Sequence, residues 1–305
     1  METRKLECFV TIVDLGSITK AAGVLHMAQP ALSQQVASLE SELKQTLLIR
    51  SKQGVRPTAA GLTLYRHAMT ILPMIERTRE AVASSGGAPS GRVSIAIAPY
   101  SMAATLVPGI MTAVHARFPG IVLHLTEIHG GVLSDAVRNR VLDIALVYEP
   151  GRLPGIQFTT LLTEGLFVVG SSAALAGRDA VTFTELTELP LLLPERNHTL
   201  RQLLEKQSER AGLPLNVFAE IESVSVLAHL IGVGLGYTVM PRSAARTHLS
   251  GVDYRAVRLI EPAIDVRFSL CTTENEPLSE AAAAVLVTIR EYFLQLKTAG
   301  QHNPE

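Results

Sequence analysis

Little in this 305-residue sequence can be cross-linked, and no stretch of it is long enough to live in a bilayer. The two cysteines, Cys8 and Cys271, are far apart and each is set among apolar neighbours. Two such residues exclude a disulfide framework and read as reduced core thiols, as in a reducing compartment. No run reaches the ~20 apolar residues needed to cross a membrane; AAAAVLVTI at 281–289 stops well short. The opening METRKLECFVTIVDLGS has charges, but neither an uninterrupted apolar region nor a small-residue cleavage site, so it does not read as a secretory signal. The expectation is a cytoplasmic protein with no membrane partner.

The signatures of catalysis and metal binding are equally thin. Nine histidines are scattered, without H-E-x-x-H or Cys/His ligand spacing, so no metal and no other cofactor is expected. Ser17-Ile-Thr-Lys20 has the S-x-x-K spacing of acylating serine enzymes, but the partner motifs are missing and Ser17 suits a helix cap. Gly232, Gly234 and Gly236 lack the spacing of a dinucleotide loop and suit a turn between helix and strand. No nucleophile, base and oxyanion set assembles, and the expectation is that the protein is not an enzyme.

What is present points to two domains and an uneven charge. A chain of this length exceeds the size at which single cores stop growing, and 47% hydrophobic residues suffice for packed cores. Residues 1–86 carry 10 Lys/Arg against 7 Asp/Glu, whereas the remainder carries 17 against 21. The front end is mildly basic and the rest acidic, a weak pointer to nucleic acid by itself.

The order of elements is more informative. Leu6, Phe9, Val10 and Val13 form one apolar stripe of a helix, which Gly16 ends. Ser17 caps a second helix with its stripe at Ile18, Ala21, Ala22 and Leu25, the alanines allowing close approach of a neighbour. Three residues, His26 to Ala28, then lead to a third helix with Pro30 in its first turn and Leu32, Val36, Leu39 and Leu43 as its buried face. Gln29, Ser33, Gln34 and Ser38 project outward, concentrated at the leading end. A short connection, crossing helices and a polar, uncharged lead end describe a helix-turn-helix whose second member enters the major groove. A plain three-helix bundle is the competing reading, but a solvated helix face usually favours Lys and Glu. Gln pairs bidentately with adenine and Ser serves a base or a phosphate. Ala28, Gln29, Pro30, Ser33, Gln34 and Ser38 are therefore the candidate DNA-facing residues, with Arg50, Ser51 and Lys52 on a following basic hairpin as phosphate contacts.

Thr58 is expected to cap a long helix running to about Ala83. Leu64, Ala68, Ile71, Ile75, Thr78 and Val82 in it follow the 4-3 spacing of a coiled-coil seam, and Pro73 should kink it. The candidate oligomerisation residues are Leu64, Ala68, Ile71, Ile75 and Val82, expected to need a second subunit to cover them. ASSGGAPSG at 83–91 reads as a flexible linker. Beyond it, RVSIAIA, a helix, IVLHLTE, a helix in VLSDAVRNRVL and DIALVY alternate as β–α–β–α–β, which implies a parallel sheet. GLFVVGS, a helix near 198–211, VFAEIES, a helix near 224–233 and GYTVMP form a second such series. VRFSLCTT and a helix over 278–297 return to the first. The fold expected is thus α/β: a winged helix-turn-helix over 1–58, a linker helix and hinge over 59–91, and a two-lobed domain over 92–305. Lobe I spans about 92–162 and 266–300, lobe II about 163–265.

Residues 1–75 resemble the N-terminal domain of the LysR-type transcriptional regulators, and within that family the nitrogen assimilation control subgroup. The resemblance rests on Ala21-Ala22, Gln29-Pro30-Ala31-Leu32-Ser33, Leu39-Glu40 and Thr58-x-x-Gly61, all in register, and more loosely on FAEIES at 218–223 and MPRSAAR at 240–246. It implies a linker helix that pairs subunits and a periplasmic-binding-protein-like effector domain. It also implies tetramers built as dimers of dimers, binding to interrupted dyads in double-stranded DNA, and action through RNA polymerase. Gln34 stands where many members carry Arg, which separates its base preference from theirs.

A small anionic effector is expected between the lobes. IAPYSMAA ends a strand and opens a helix, so N–H groups near Ser101 and Met102 should face the cleft, where parallel α/β lobes bind ligands. Asn197–Thr199 opens another helix across it, and His129 and Tyr148 follow the next two strands. Pro99, Tyr100, Ser101, Met102, His129, Tyr148, Asn197 and Thr199 are the candidate effector residues; simple capping explains Ser101 and Thr199 equally well. The alternative function is a two-lobed small-molecule-binding protein or enzyme whose N-terminal helices serve only oligomerisation.

Overall fold

The computed structural model describes residues 2–51, 54–83, 87–128, 136–137, 141–274 and 277–298, which fall into two compact units, Met1–Ala83 and Ser84–Glu305.

The first unit begins with α1 (Thr3–Leu15), α2 (Ile18–Val24) and α3 (Gln29–Leu43). Gly16 takes the left-handed conformation that ends α1, and the Ser17 hydroxyl accepts the Lys20 N–H at 3.3 Å to start α2. α1 sits at the centre of the unit. It buries Cys8 and Ile12 as well as Leu6, Phe9 and Val10, a wider face than its single stripe foretells, because α2, α3 and α4 all pack around it. Lys5, nearly buried on α1, is held by Glu42 near the end of α3 and by Glu2 at 3.6 Å. The α3 face is Leu32, Val36 and Leu39; Leu43, expected to continue it, is 38% exposed because the helix ends there in a left-handed Lys44.

The hairpin β1 (Leu48–Ser51) and β2 (Gly54–Pro57) is antiparallel, with Leu48 opposite Pro57. It is fastened at both ends. Glu40 of α3 accepts the N–H groups of Leu47 and Leu48 at 2.7 and 3.2 Å, and the Val55 N–H donates to the Gly16 carbonyl at 2.9 Å. Thr58 caps α4 (Ala59–Ala83) through the Gly61 N–H at 3.0 Å. Gly61 has no alternative: a Cβ there would stand 2.1 Å from the Leu47 carbonyl oxygen. Pro73 lies inside α4, with helix on both sides of it.

In the second unit β3 (Gly91–Ile97) runs parallel to both β4 (Ile121–Glu127) and β5 (Ile144–Tyr148), with α5 (Ala103–Arg117) as the crossover. The helix expected in residues 132–142 lies largely outside the described residues. β6 (Ile156–Ser171) is much longer than the GLFVVGS segment foretells. Its first half has polar residues at Gln157, Thr160 and Thr163 facing out, which hides it from a search for apolar runs. Further along come β7 (Ala180–Thr182), α6 (Phe183–Glu188), β8 (Leu191–Leu193), α7 (Thr199–Ala211) and β9 (Val217–Glu220). α8 (Val224–Gly232), β10 (Thr238–Pro241), α9 (Arg242–His248), β11 (Tyr254–Ile260), β12 (Asp265–Thr273) and α10 (Glu280–Thr298) complete the chain.

The main sheet has the order β4-β3-β5-β12-β6-β11-β7, with β10 also on β6. Ile156 to Gly165 of β6 pair antiparallel with β12, and its remainder pairs antiparallel with β10 and β11. The handover falls at Gly165–Leu166, so one strand runs through both lobes. The second series is therefore not the purely parallel set expected: β8 and β9 are parallel, but β10 joins the sheet antiparallel. Cys271 is buried within β12, where loss of water lifts its thiol to about 12; Cys8 is also free and buried.

Candidate DNA-reading face and interlobe seam

α3 enters its first turn at Ala28, an extended residue whose side chain makes no cap, and Pro30 needs no partner for the N–H it lacks. The lead end of the helix therefore presents unpaired backbone donors beside polar side chains, a ready site for phosphate oxygens and base edges. Ala28, Gln29, Pro30 and Gln34 are exposed, Ser33 and Ser38 half-buried. The Thr19 hydroxyl of α2 lies 3.5 Å from the Gln29 amide oxygen, at the limit of a hydrogen bond. Beside this face Glu40 ties the hairpin to α3, and Arg50 and Arg56 extend from the two strands into solvent. The exposed Ser51 hydroxyl donates to the Gly54 carbonyl at 3.2 Å. Lys52 lies outside the described residues.

α4 divides its apolar residues between two fates. Leu64, Ala68 and Ile71 pack into the core of their own unit against α1, and Ala68 is fully buried. The seam expected to await a second subunit is thus partly covered within the chain, because α1 lies along that side of α4. Ile75 is half-buried, whereas Val82 is 72% exposed, and Leu62, Met69 and Met74 are exposed too.

In the second unit the residues at the end of β3 meet the helix starts of the other lobe. Tyr100 adopts a left-handed conformation (φ 58°) and is completely buried. Its hydroxyl donates to the Ile221 carbonyl, and its ring stands edge-on to His198, 5.3 Å between centroids. Burial pushes its ionisation far above the usual tyrosine range, so it acts as a hydrogen-bond donor. The Ser101 hydroxyl is spent locally, donating to the Ala98 carbonyl at 2.6 Å and accepting the Ala103 N–H at 3.2 Å. Its carbonyl accepts from His248 Nε2 at 2.8 Å, and burial lowers that imidazole's affinity for a second proton. Thr105 and Thr247 join hydroxyls at 2.8 Å.

Tyr148, at the end of β5, is fully buried against Phe268 and donates to Glu164 Oε2 at 3.2 Å. Burial lifts the Glu164 carboxyl above its ordinary value, against the opposing pull of the Ser243 and Tyr148 hydroxyls. Pro99, Met102 and Thr199 are also buried, whereas Asn197 is exposed and His129 lies outside the described residues. The helix start at α7 is capped by His198, whose Nδ1 accepts the Leu200 N–H at 3.2 Å. Seven of the eight candidates are thus placed, and Tyr100 and Ser101 of the first lobe are bonded to second-lobe groups. Ile221, Glu164, Thr247 and His248 complete this seam and are absent from the residues expected. Their partners are 16 to 147 residues away along the chain, beyond the reach of local periodicity; His198 alone carries a local signal, preceding Thr199 at a helix start.

A helix-turn-helix with a hairpin wing, joined in one chain to a two-lobed α/β unit, defines a ligand-responsive class of DNA-binding transcription regulators. Residues 3–62 match the bacterial regulatory helix-turn-helix proteins of the lysR family, and residues 86–294 match the LysR substrate binding domain. The chain belongs to the LysR family of transcriptional regulators. It is 41% identical over 285 residues to the nitrogen assimilation regulatory protein nac of Escherichia coli (strain K12), covering 93% of each chain. With the nac protein of Klebsiella aerogenes it shares 39% over the same length and coverage. Among solved structures, full-length CbnR complexed with its target DNA is similar with a TM-score of 0.71 at 20% identity, covering 96% of this chain and 100% of that one. A full-length OxyR variant from Pseudomonas aeruginosa has a TM-score of 0.68 at 22% identity, covering 96% and 94%. Among the described residues no helix is long and apolar enough to cross a membrane.

Proposed function

We propose that this regulator reads dyad DNA through the lead end of α3, with Gln29, Pro30, Ser33 and Gln34 facing base edges, Ala28 and Ser38 at the margins, and Arg50, Ser51 and Lys52 holding phosphates. The observation that carries this reading is the uncapped start of α3, where exposed Gln29 and Gln34 accompany backbone N–H groups that no side chain caps. Reading a dyad requires two such heads. The exposed apolar residues Leu62 and Met69, one heptad apart on α4, supply a pairing surface apart from the face spent on α1, while Val82 continues the line of Leu64, Ala68, Ile71 and Ile75. Membership of the LysR family supports the further reading of a dimer of dimers that acts on RNA polymerase in the cytoplasm. The domain limits proposed are 1–58, 59–91 and 92–305.

The effector is a small carboxylate or similar anion that enters between the lobes near Ser101 and Thr199. Because Tyr100 and His248 already bridge the lobes, such a ligand works by its different affinity for closed and parted lobes. Genome-wide footprinting of the wild type and of Gln29→Ala/Gln34→Ala tests the DNA reading: wild type should occupy dyads that the variant leaves, and equal footprints sink it. A thermal-shift screen of carboxylates, sulfonates and aromatic acids tests the effector. The anion site is abandoned if no compound stabilises wild type while failing on Ser101→Ala/Thr199→Ala.

A further inference from the structure

The second unit is acidic overall, yet one hollow on its second lobe is walled by arginine. Arg178 from the loop before β7, Arg242 and Arg246 on α9, and Arg255 and Arg258 on β11 surround a concavity of about 690 Å³. A single carboxylate, Asp179, shares the lining, and no lysine does. Five guanidinium groups lining one hollow give it a positive potential that favours an anion there.

The ion pairs around it are long and solvated. Asp179 is fully exposed and reaches Arg255 only at 3.4 Å, and Arg178 meets Glu185 at 3.4 Å outside the hollow. Solvated pairs of this kind neutralise little. Arg242 lies over the Phe167 ring, 5.7 Å from its centroid, which steadies that guanidinium within the lining. Arg246 and Arg258 are exposed and have no ion pair or hydrogen bond among the described residues. Three elements thus converge their planar donor forks on one volume of the size that holds small ligands.

We propose that this hollow binds a compact polyanion bearing two or more phosphate groups. Arginine forks match phosphate oxygens bidentately, which a set of lysines would not do. The hollow belongs to the second lobe alone and shares no residue with the seam around Tyr100, so it stands or falls apart from the effector site proposed above.

The test is calorimetric titration of the full-length protein with inorganic pyrophosphate, using sodium chloride of equal ionic strength as the blank. Wild type should bind, and Arg246→Ala/Arg258→Ala should bind at least tenfold more weakly with an unchanged melting temperature. Arg246→Lys/Arg258→Lys, which keeps the charge without the fork, should fall between them. Arg50→Ala and Ser101→Ala/Thr199→Ala should bind as wild type does, which separates the hollow from the DNA face and from the seam. Binding no stronger than the salt blank, or equal binding by wild type and the double alanine variant, overturns the proposal. Tighter binding of a hexaglutamate peptide than of pyrophosphate, lost in the same variant, overturns the ligand class in favour of an acidic protein segment.

Discussion

The two units put their chemistry in opposite places. In residues 1–83 the interacting groups lie on a surface, side by side on one helix and one hairpin, and the core beneath only holds them still. In residues 84–305, the arginine hollow apart, the polar groups around Tyr100 and His248 lie inside, and what they hold is one lobe against the other. A surface site spends nothing on burial and can be changed residue by residue without disturbing the fold. A buried seam makes binding and conformation the same event, because each hydrogen bond lost on opening leaves a desolvated group behind.

That contrast can be broken experimentally. The largest effect is expected from Leu62→Asp/Met69→Asp, which places charges on the uncovered side of α4: sedimentation should find monomers, and affinity for dyad DNA should collapse while a single half-site is affected little. Unchanged oligomers would mean that the exposed row is not the pairing surface. Next, Gln29→Ala and Gln34→Ala should each cost about 1–3 kcal/mol on the cognate site and relax preference at one position. Arg50→Ala should instead weaken all sequences alike and flatten the salt dependence by about one unit of slope. None of these should move the melting of the second unit.

Tyr100→Phe should do the reverse. It strands the Ile221 carbonyl and should cost about 1–2 kcal/mol of stability, seen as a lower melting temperature for the second unit with half-site DNA affinity intact. If melting is unaltered, the seam is not held by that hydroxyl. The smallest effect concerns Glu164. Its folded-state carboxyl is lifted by burial, so the protonated form contributes stability that is fully present below the ordinary carboxylate value and is lost as pH rises through the lifted one. Glu164→Gln, neutral throughout, should gain stability relative to wild type between pH 4 and pH 8 in calorimetric scans. A difference that shrinks with rising pH would contradict the sign.

The same contrast explains what the sequence made legible. Gly16, Ser17, Pro30 and Thr58 act on neighbours within a few residues, and each does what its type and position imply. The outward Gln29 and Gln34 can be assigned because helical spacing separates faces. Ala68 goes astray for the opposite reason: periodicity reveals that a stripe must be covered, not whether α1 or another subunit covers it. β6 escapes detection over its first half since its outward side alternates in threonine and glutamine. Glu164 and His248 give no local sign at all, as their partners arrive from other segments of the fold. Tyr100 and Ser101 are found through a helix start, yet the helix start does not reveal that Ser101 is internally satisfied.

The strand that serves both lobes also ties their folding together. Residues 156–165 of β6 find their partner only when 265–273 have been made, about a hundred residues later, while 166–171 must pair with β10 and β11 in between. The second lobe lies within one continuous stretch, 166–264, but the first cannot be completed until 265–273 return to it, so the slow step in folding should be closure of that long loop, at an entropic cost that grows only slowly with its length. A chain interrupted before Asp265 carries a ten-residue strand edge with no partner, open to the same edge of another unfinished copy. Nonsense mutations in this stretch should therefore yield aggregates rather than a working DNA-binding fragment fused to one sound lobe.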